Sequence, residues 1–356
     1  MSETRANVMD RASKLVERTI ARNLKGLDFL TMPPAKVGLT PKEVLYERGT
    51  LRLYHYLPQA DELYRVPILL VMATTNKAYV FDLAPGQSMV EYLLKEGFDV
   101  YVIDWEPPLP EERGLSLADY TQDFIPTCVQ MVIDDSGEPD LSIVGYCMGG
   151  VLSLIYAASH TDSPLKNLVC LTTPVNWAEM GLTRIWSDEK HFDVDRLVDT
   201  VGVVPQDFVQ ASFEMLRPAQ KSASQIRVWE KMWDDEFVKS YRAFDRWGNE
   251  TLPLAGEYFR DTTKELMWAN KLYKGNLVVN GKTAKLSDIT VPIMAAMAEH
   301  DHIVAYKASK PLMDLVGSED KEEIVLKGGH VSLIAGPNAV RRMWPKLAEW
   351  LGERSV

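Results

Sequence analysis

Apolar residues fall along this chain in short runs separated by stretches of helical period. Runs at 51–56, 68–72, 99–103, 141–144, 168–171, 292–297 and 323–327 read as strands. Those at 66–72 and 100–103 are almost continuously hydrophobic, as expected of strands covered by helices on both faces. Segments 88–96, 117–132, 151–159 and 339–351 repeat apolar side chains at helical spacing. This alternation predicts an α/β fold with a mostly parallel sheet. Near the start, Leu15, Val16, Thr19 and Ile20 between charged residues predict a helix over 13–24 that packs back on the chain's own body. It lies in an N-terminal segment, 1–34, closed by Pro33-Pro34.

Between 176 and 286 the rhythm breaks. No pair of buried strands is evident there, and aromatic residues crowd together, Trp177, Trp186, Phe208, Trp229, Trp233 and Trp268 among them. Segments 225–237 and 258–272 read as helices. The expected organisation is a core at 35–175 and 287–356, with 176–286 inserted as a helical cap whose aromatics form a second core.

Composition narrows the classes. A length of 356 residues allows two domains, or one domain with a large insertion. With 39 Lys+Arg against 50 Asp+Glu, the net charge of −11 argues against a nucleic-acid partner. No apolar run approaches the roughly 20 residues of a membrane span, and no secretory signal is evident, so a soluble cytoplasmic protein is expected. The three cysteines lack metal-ligand spacing, so no metal is expected and one thiol is left for chemistry.

That thiol is Cys147. Gly145-Tyr146-Cys147-Met148-Gly149-Gly150 follows an apolar strand and opens a helix, the setting of a G-x-S-x-G nucleophile elbow with cysteine for serine. The sharp turn that projects the nucleophile needs small residues on either side. It also points the Met148 N–H at the reacting carbonyl. Cys128 and Cys170 lie in apolar runs and read as core thiols. A thiol is weakly ionised at neutral pH and needs a base. Of six histidines, His330 stands in the loop Gly328-Gly329-His330 that leaves the last strand, where this chain order expects it. Asp301, after the strand 292–297, is the preferred acid that holds the histidine's tautomer, with Glu299 as runner-up. His300 and His302 read as bystanders. A second oxyanion donor is expected from the loop Ala73-Thr74-Thr75-Asn76, at Thr75 or Asn76.

These motifs resemble polyhydroxyalkanoate synthases. The elbow, Asp301-His302-Ile303-Val304 and Gly328-Gly329-His330 carry the resemblance, with Asn76-Lys77-Ala78-Tyr79, Asp104-Trp105, Thr173-Pro174-Val175 and Asp234-Asp235-Glu236-Phe237 in support. The short chain is similar to the catalytic subunits of class III, or class IV, synthases. Two departures stand out: Ala73-Thr74-Thr75 is more polar than the family's usual loop, and Val331-Ser332-Leu333 after the histidine is not its commonest form. The resemblance implies an α/β-hydrolase fold and an acyltransferase that polymerises (R)-3-hydroxyacyl-CoA, 3-hydroxybutyryl-CoA first of all, into polyester with release of CoA. It also implies a separate accessory subunit and residence at polyester granules, and it calls for no cofactor beyond the CoA thioester substrate. The apolar cap is suited to pairing of two copies. Cys147, Asp301 and His330 would be the triad, and the cationic contacts to CoA are not located by sequence. The alternative is a thioesterase or polyester depolymerase using the same triad. A catalytically silent granule-surface protein is a third reading, disfavoured by the intact Cys147, Asp301 and His330.

Overall fold

A computed structural model of the chain describes residues 2–355, with side chains at Asn7 and from Met9 onward. Its centre is an eight-stranded sheet, whose strands we number in chain order. They are β1 (Lys42–Arg48), β2 (Leu51–Tyr56), β3 (Ile68–Val71), β4 (Val100–Trp105), β5 (Leu141–Tyr146), β6 (Leu165–Leu171), β7 (Ile293–Ala298) and β8 (Lys321–Leu326). The spatial order is β1-β2-β4-β3-β5-β6-β7-β8. Pairing is antiparallel at β1/β2 and β2/β4 and parallel from β4 to β8. Every residue of β3, β4, β5 and β7 is buried, because helices cover both faces of the sheet.

The seven runs read as strands are all present. The eighth, β1, has no apolar run to betray it. It is an edge strand of sequence Lys-Glu-Val-Leu-Tyr-Glu-Arg, with no fully buried side chain. Charge on an edge discourages pairing with other chains. The carboxyl ends of β3, β5, β6 and β7 lie along one rim of the sheet, where parallel α/β folds bind ligands.

Between β6 and β7 the chain is mainly helical, with helices at Val194–Val201, Gln206–Leu216, Gln220–Glu230, Asp235–Asn249 and Gly256–Asp261. Three expectations are corrected here. The helix expected at 225–237 is two helices, because the Asp234 carboxylate accepts from Phe237 N–H at 3.1 Å and starts a new one. The helix expected at 258–272 ends before Asn270. That residue adopts a left-handed conformation, and its side chain binds Trp177 N–H and the Asn176 side chain. Strand pairing is also present: Val203–Val204 pairs antiparallel with the distant Leu254–Ala255, and Leu277–Val279 forms a short hairpin with Lys282–Ala284. Strands of two or three residues leave too little alternation to read.

The aromatics of this segment divide between interior and surface. Trp177, Trp247 and Tyr258 are buried, whereas Trp186, Phe208, Trp229 and Phe244 are exposed. The N-terminal helix is longer than its apolar pattern implied, Ser2–Thr31. It docks on the inserted helices: Arg18 lies over Trp233, Lys25 pairs with Asp235 at 2.6 Å, and Phe29 joins a small cluster of Val228, Met232 and Val238. Among the described residues no helix is long and apolar enough to cross a membrane.

Candidate active site

Cys147 stands between β5 and the helix Met148–Ser159, with φ 53° and ψ −119°. A side chain rarely tolerates this backbone, so the surroundings must impose it. They do so through three glycines. A Cβ on Gly145 would lie 2.5 Å from the Gly150 Cα, one on Gly149 would strike the Val71 carbonyl of β3, and one on Gly150 would strike Thr173. Cys147 N–H donates to Leu171 O at 2.9 Å, fixing the turn to the end of β6. The spacing read in sequence is thus a packing requirement. First-turn N–H groups of a helix have no partner inside it, so those of Met148 and Gly149 remain available to an anion.

His330 lies in the loop after β8 and is 5% exposed. Its Nδ1 and Asp301 Oδ2 are 2.7 Å apart, and the Asp301 side chain is 1% exposed. The other carboxylate oxygen, Oδ1, accepts from Ile303 N–H at 2.8 Å and Val304 N–H at 2.9 Å. Three hydrogen bonds hold the carboxylate in place and fix the orientation of the ring. Burial alone would lower the imidazole's pKa. The negative charges of Cys147 and Asp301 outweigh it and raise the pKa to about 10. Asp301 and His330 thus form a buried pair beside the elbow that carries Cys147.

The remaining expected residues separate cleanly. Glu299 and His300 are exposed, and Asp301 is the carboxylate that meets His330. His302 is exposed beside the pair, and partial desolvation and the Arg217 and His330 charges lower its pKa against the pull of Asp301. Burial pushes the Cys128 thiol well up and the Cys170 thiol to about 12, which keeps both protonated. Among the described residues no group of three His, Cys, Asp or Glu is placed to hold a metal.

Thr75 and Asn76 follow β3 at the same rim, and the segment is tied from two sides. Thr75 O accepts from Leu252 N–H at 2.7 Å, and Asn76 bridges Thr251. Behind it, Lys77 pairs with Asp104 at 2.7 Å, and Asp104 also accepts from Ala78 N–H.

Two tyrosines near the sulfur went unnoticed in the sequence. Tyr146 precedes the nucleophile, and its ring centroid is 5.0 Å from that of His330. Its place in the elbow was a usable signal. Tyr258 comes from the insertion, where no local pattern marked it. Its hydroxyl accepts from Thr74 at 3.0 Å.

Comparison with known proteins places this geometry. Residues 67–337 match the family model of the alpha/beta hydrolase fold, and residues 34–93 match that of the poly-beta-hydroxybutyrate polymerase (PhaC) N-terminus. The poly(3-hydroxyalkanoate) polymerase subunit PhaC of Haloferax mediterranei is 34% identical over 97% of this chain and 70% of its own length. That of Allochromatium vinosum is 33% identical over 92% of each, and that of Synechocystis sp. 32% over 93% of this chain and 89% of its own. Among solved structures, a putative lipase from Sulfolobus solfataricus aligns with a TM-score of 0.55 at 16% identity, covering 90% of this chain and 99% of that one. MenH from S. aureus gives 0.54 at 15%, covering 87% and 100%. These two likenesses concern the fold alone. The sequence matches go further: this chain belongs to the poly(3-hydroxyalkanoate) polymerase family, built on an α/β-hydrolase fold.

Proposed function

We propose that the chain polymerises (R)-3-hydroxyacyl-CoA, with 3-hydroxybutyryl-CoA as first substrate, through an acyl thioester on Cys147. The observation that carries this reading is the buried Asp301–His330 pair set against the sulfur at the elbow. The Cys147 thiolate attacks the thioester carbonyl, the carbon–sulfur bond to CoA breaks, and the His330 imidazolium protonates the departing thiolate. The 3-hydroxyl of the next unit then attacks the acyl-Cys147. Its proton passes to His330, the bond to Cys147 sulfur breaks, and an oxoester forms. Asp301 holds the ring throughout. Backbone N–H groups at Met148 and in the 73–76 loop stabilise the oxyanion.

A cysteine nucleophile favours transfer. Exchange of one thioester for another is nearly isoenergetic, so the acyl group stays activated toward a hydroxyl, whereas an acyl-serine would already be an oxoester. We read 176–286 as the cap that keeps water from this intermediate. The CoA thioester is substrate, and the chemistry calls for no separate cofactor. The exposed Ile185, Met215, Ile226 and Trp229 of the cap, with Val16, Ile20 and Leu27 of the N-terminal helix, suit an accessory subunit, a second copy or a polyester granule surface in the cytoplasm.

Purified chain, alone and with a co-expressed accessory subunit, should release CoA from 3-hydroxybutyryl-CoA and form insoluble polyester. Cys147→Ala should do neither. Free 3-hydroxybutyrate without polymer would replace the synthase reading with a hydrolase. Full activity in Cys147→Ala would remove the triad.

A further inference from the structure

Thr74 and Tyr258 are both buried, at 3% and 2% exposure, and they meet at the rim that carries Cys147. Thr74 lies three residues past Val71, which pairs with Gly145 two residues before the nucleophile. Tyr258 is close enough to Cys147 for the sulfur's charge to help raise its pKa, after the larger effect of burial. A closed circuit of contacts fixes the two hydroxyls. The Trp105 indole N–H donates to Met72 O at 2.9 Å, and the Trp105 and Tyr120 rings are 5.1 Å apart. The Tyr120 and Tyr258 rings are 4.4 Å apart, Tyr258 N–H donates to Leu115 O at 2.8 Å, and Thr74 returns the circuit to the loop two residues past Met72.

Proton counting shows what this arrangement lacks. Two hydroxyls bring two protons, and the single hydrogen bond between them uses one. The second has no acceptor among the described residues, in a place where burial makes an unpaired polar group costly. A ligand oxygen would satisfy it. An acyl group on Cys147 carries two kinds of oxygen. Its carbonyl oxygen is served by the backbone N–H groups of the elbow. Its 3-oxygen is the second, and it can accept the proton that the two hydroxyls leave over.

We propose that Thr74 and Tyr258 form a hydroxyl dyad that hydrogen-bonds the 3-oxygen of the acyl group held on Cys147, and so selects 3-hydroxyacyl over plain acyl chains. The inference rests on the proposed acyl-Cys147 and names what that site recognises. It gives a task to the polar Thr74, the residue that sets this loop apart in the sequence.

The test compares CoA release from 3-hydroxybutyryl-CoA and from butyryl-CoA in wild type, Thr74→Val, Thr74→Ser and Tyr258→Phe. Sites built to bind a hydroxyl discriminate strongly against analogues lacking it, so the wild type should prefer the hydroxy substrate by about 30-fold or more. Thr74→Val and Tyr258→Phe should bring the preference within about threefold, by slowing the hydroxy substrate and sparing butyryl-CoA. Thr74→Ser should keep it. Tyr258→Phe retains the ring packing, so it decides the matter if Thr74→Val fails to fold. An unchanged preference, or equal losses on both substrates, would overturn the dyad. A wild type that releases no CoA from 3-hydroxybutyryl-CoA would overturn the synthase reading instead.

Discussion

His330 and His55 are both held by aspartate, yet only one belongs to a candidate active site. His330 bonds one carboxylate through Nδ1 and turns the rest of its ring to Cys147. His55, on β2, bonds two: Nε2 is 2.8 Å from Asp99 and Nδ1 is 3.0 Å from Asp135. It also stacks on Tyr101 at 4.2 Å, and the Tyr101 hydroxyl lies within hydrogen-bond distance of the same two aspartates. Both imidazoles have raised pKa values, because nearby negative charge outweighs burial, from Cys147 and Asp301 at His330 and from Asp99 and Asp135 at His55. The difference lies in what remains unused. With both ring nitrogens committed, His55 can only tie β2 to the helix that carries Asp135. His330 keeps one nitrogen for a reacting proton. A perturbed pKa therefore marks a functional site only when the group also has an open hydrogen-bonding position.

The sharpest way to break this comparison is to remove each ring in turn. His330→Asn should lower kcat/KM for CoA release by about 10³-fold or more. His55→Gln should leave it within about twofold. A large catalytic loss in the second variant would mean that the two sites are coupled. Next in size is the elbow that brings sulfur to one histidine and not to the other. Gly150→Ala drives a methyl into Thr173 and should cost about 2–3 kcal/mol in urea unfolding. Gly248→Ala, where a Cβ meets nothing within 4 Å, should be neutral or slightly stabilising.

The smallest effect concerns pH. His55 has a raised pKa in the folded state, where Asp99, Asp135 and Glu43 oppose the lowering by burial. Its stabilisation is complete below the unfolded value of about 6.5 and fades as pH rises through the folded value. The stability gap between wild type and His55→Gln should be about 1 kcal/mol at pH 5.5 and shrink steadily toward pH 9. A gap that widens with pH would contradict the clamp.

The same contrast explains what could be read from sequence. Cys147, Asp301 and His330 were legible because each sits at a fixed place on a strand end, and the glycines around Cys147 record backbone crowding in residue type. The buried strands were legible because both faces are apolar. β1 was not, since a charged edge strand satisfies no burial pattern. Asp234 starts a helix and Asn270 stands where another has ended, each through side-chain hydrogen bonds that periodicity does not register. Tyr258 was hidden for a different reason: it reaches Thr74 from the insertion, and such a contact leaves no trace in local spacing.

The most direct measurement is mass spectrometry of the intact protein, acid-quenched within the first turnover with 3-hydroxybutyryl-CoA. One 3-hydroxybutyryl group is expected on wild type and on His55→Gln, mapped by peptide digestion to Cys147, and none on Cys147→Ala. An acyl group on any other residue, or its persistence in Cys147→Ala, would contradict Cys147 as the acylated residue.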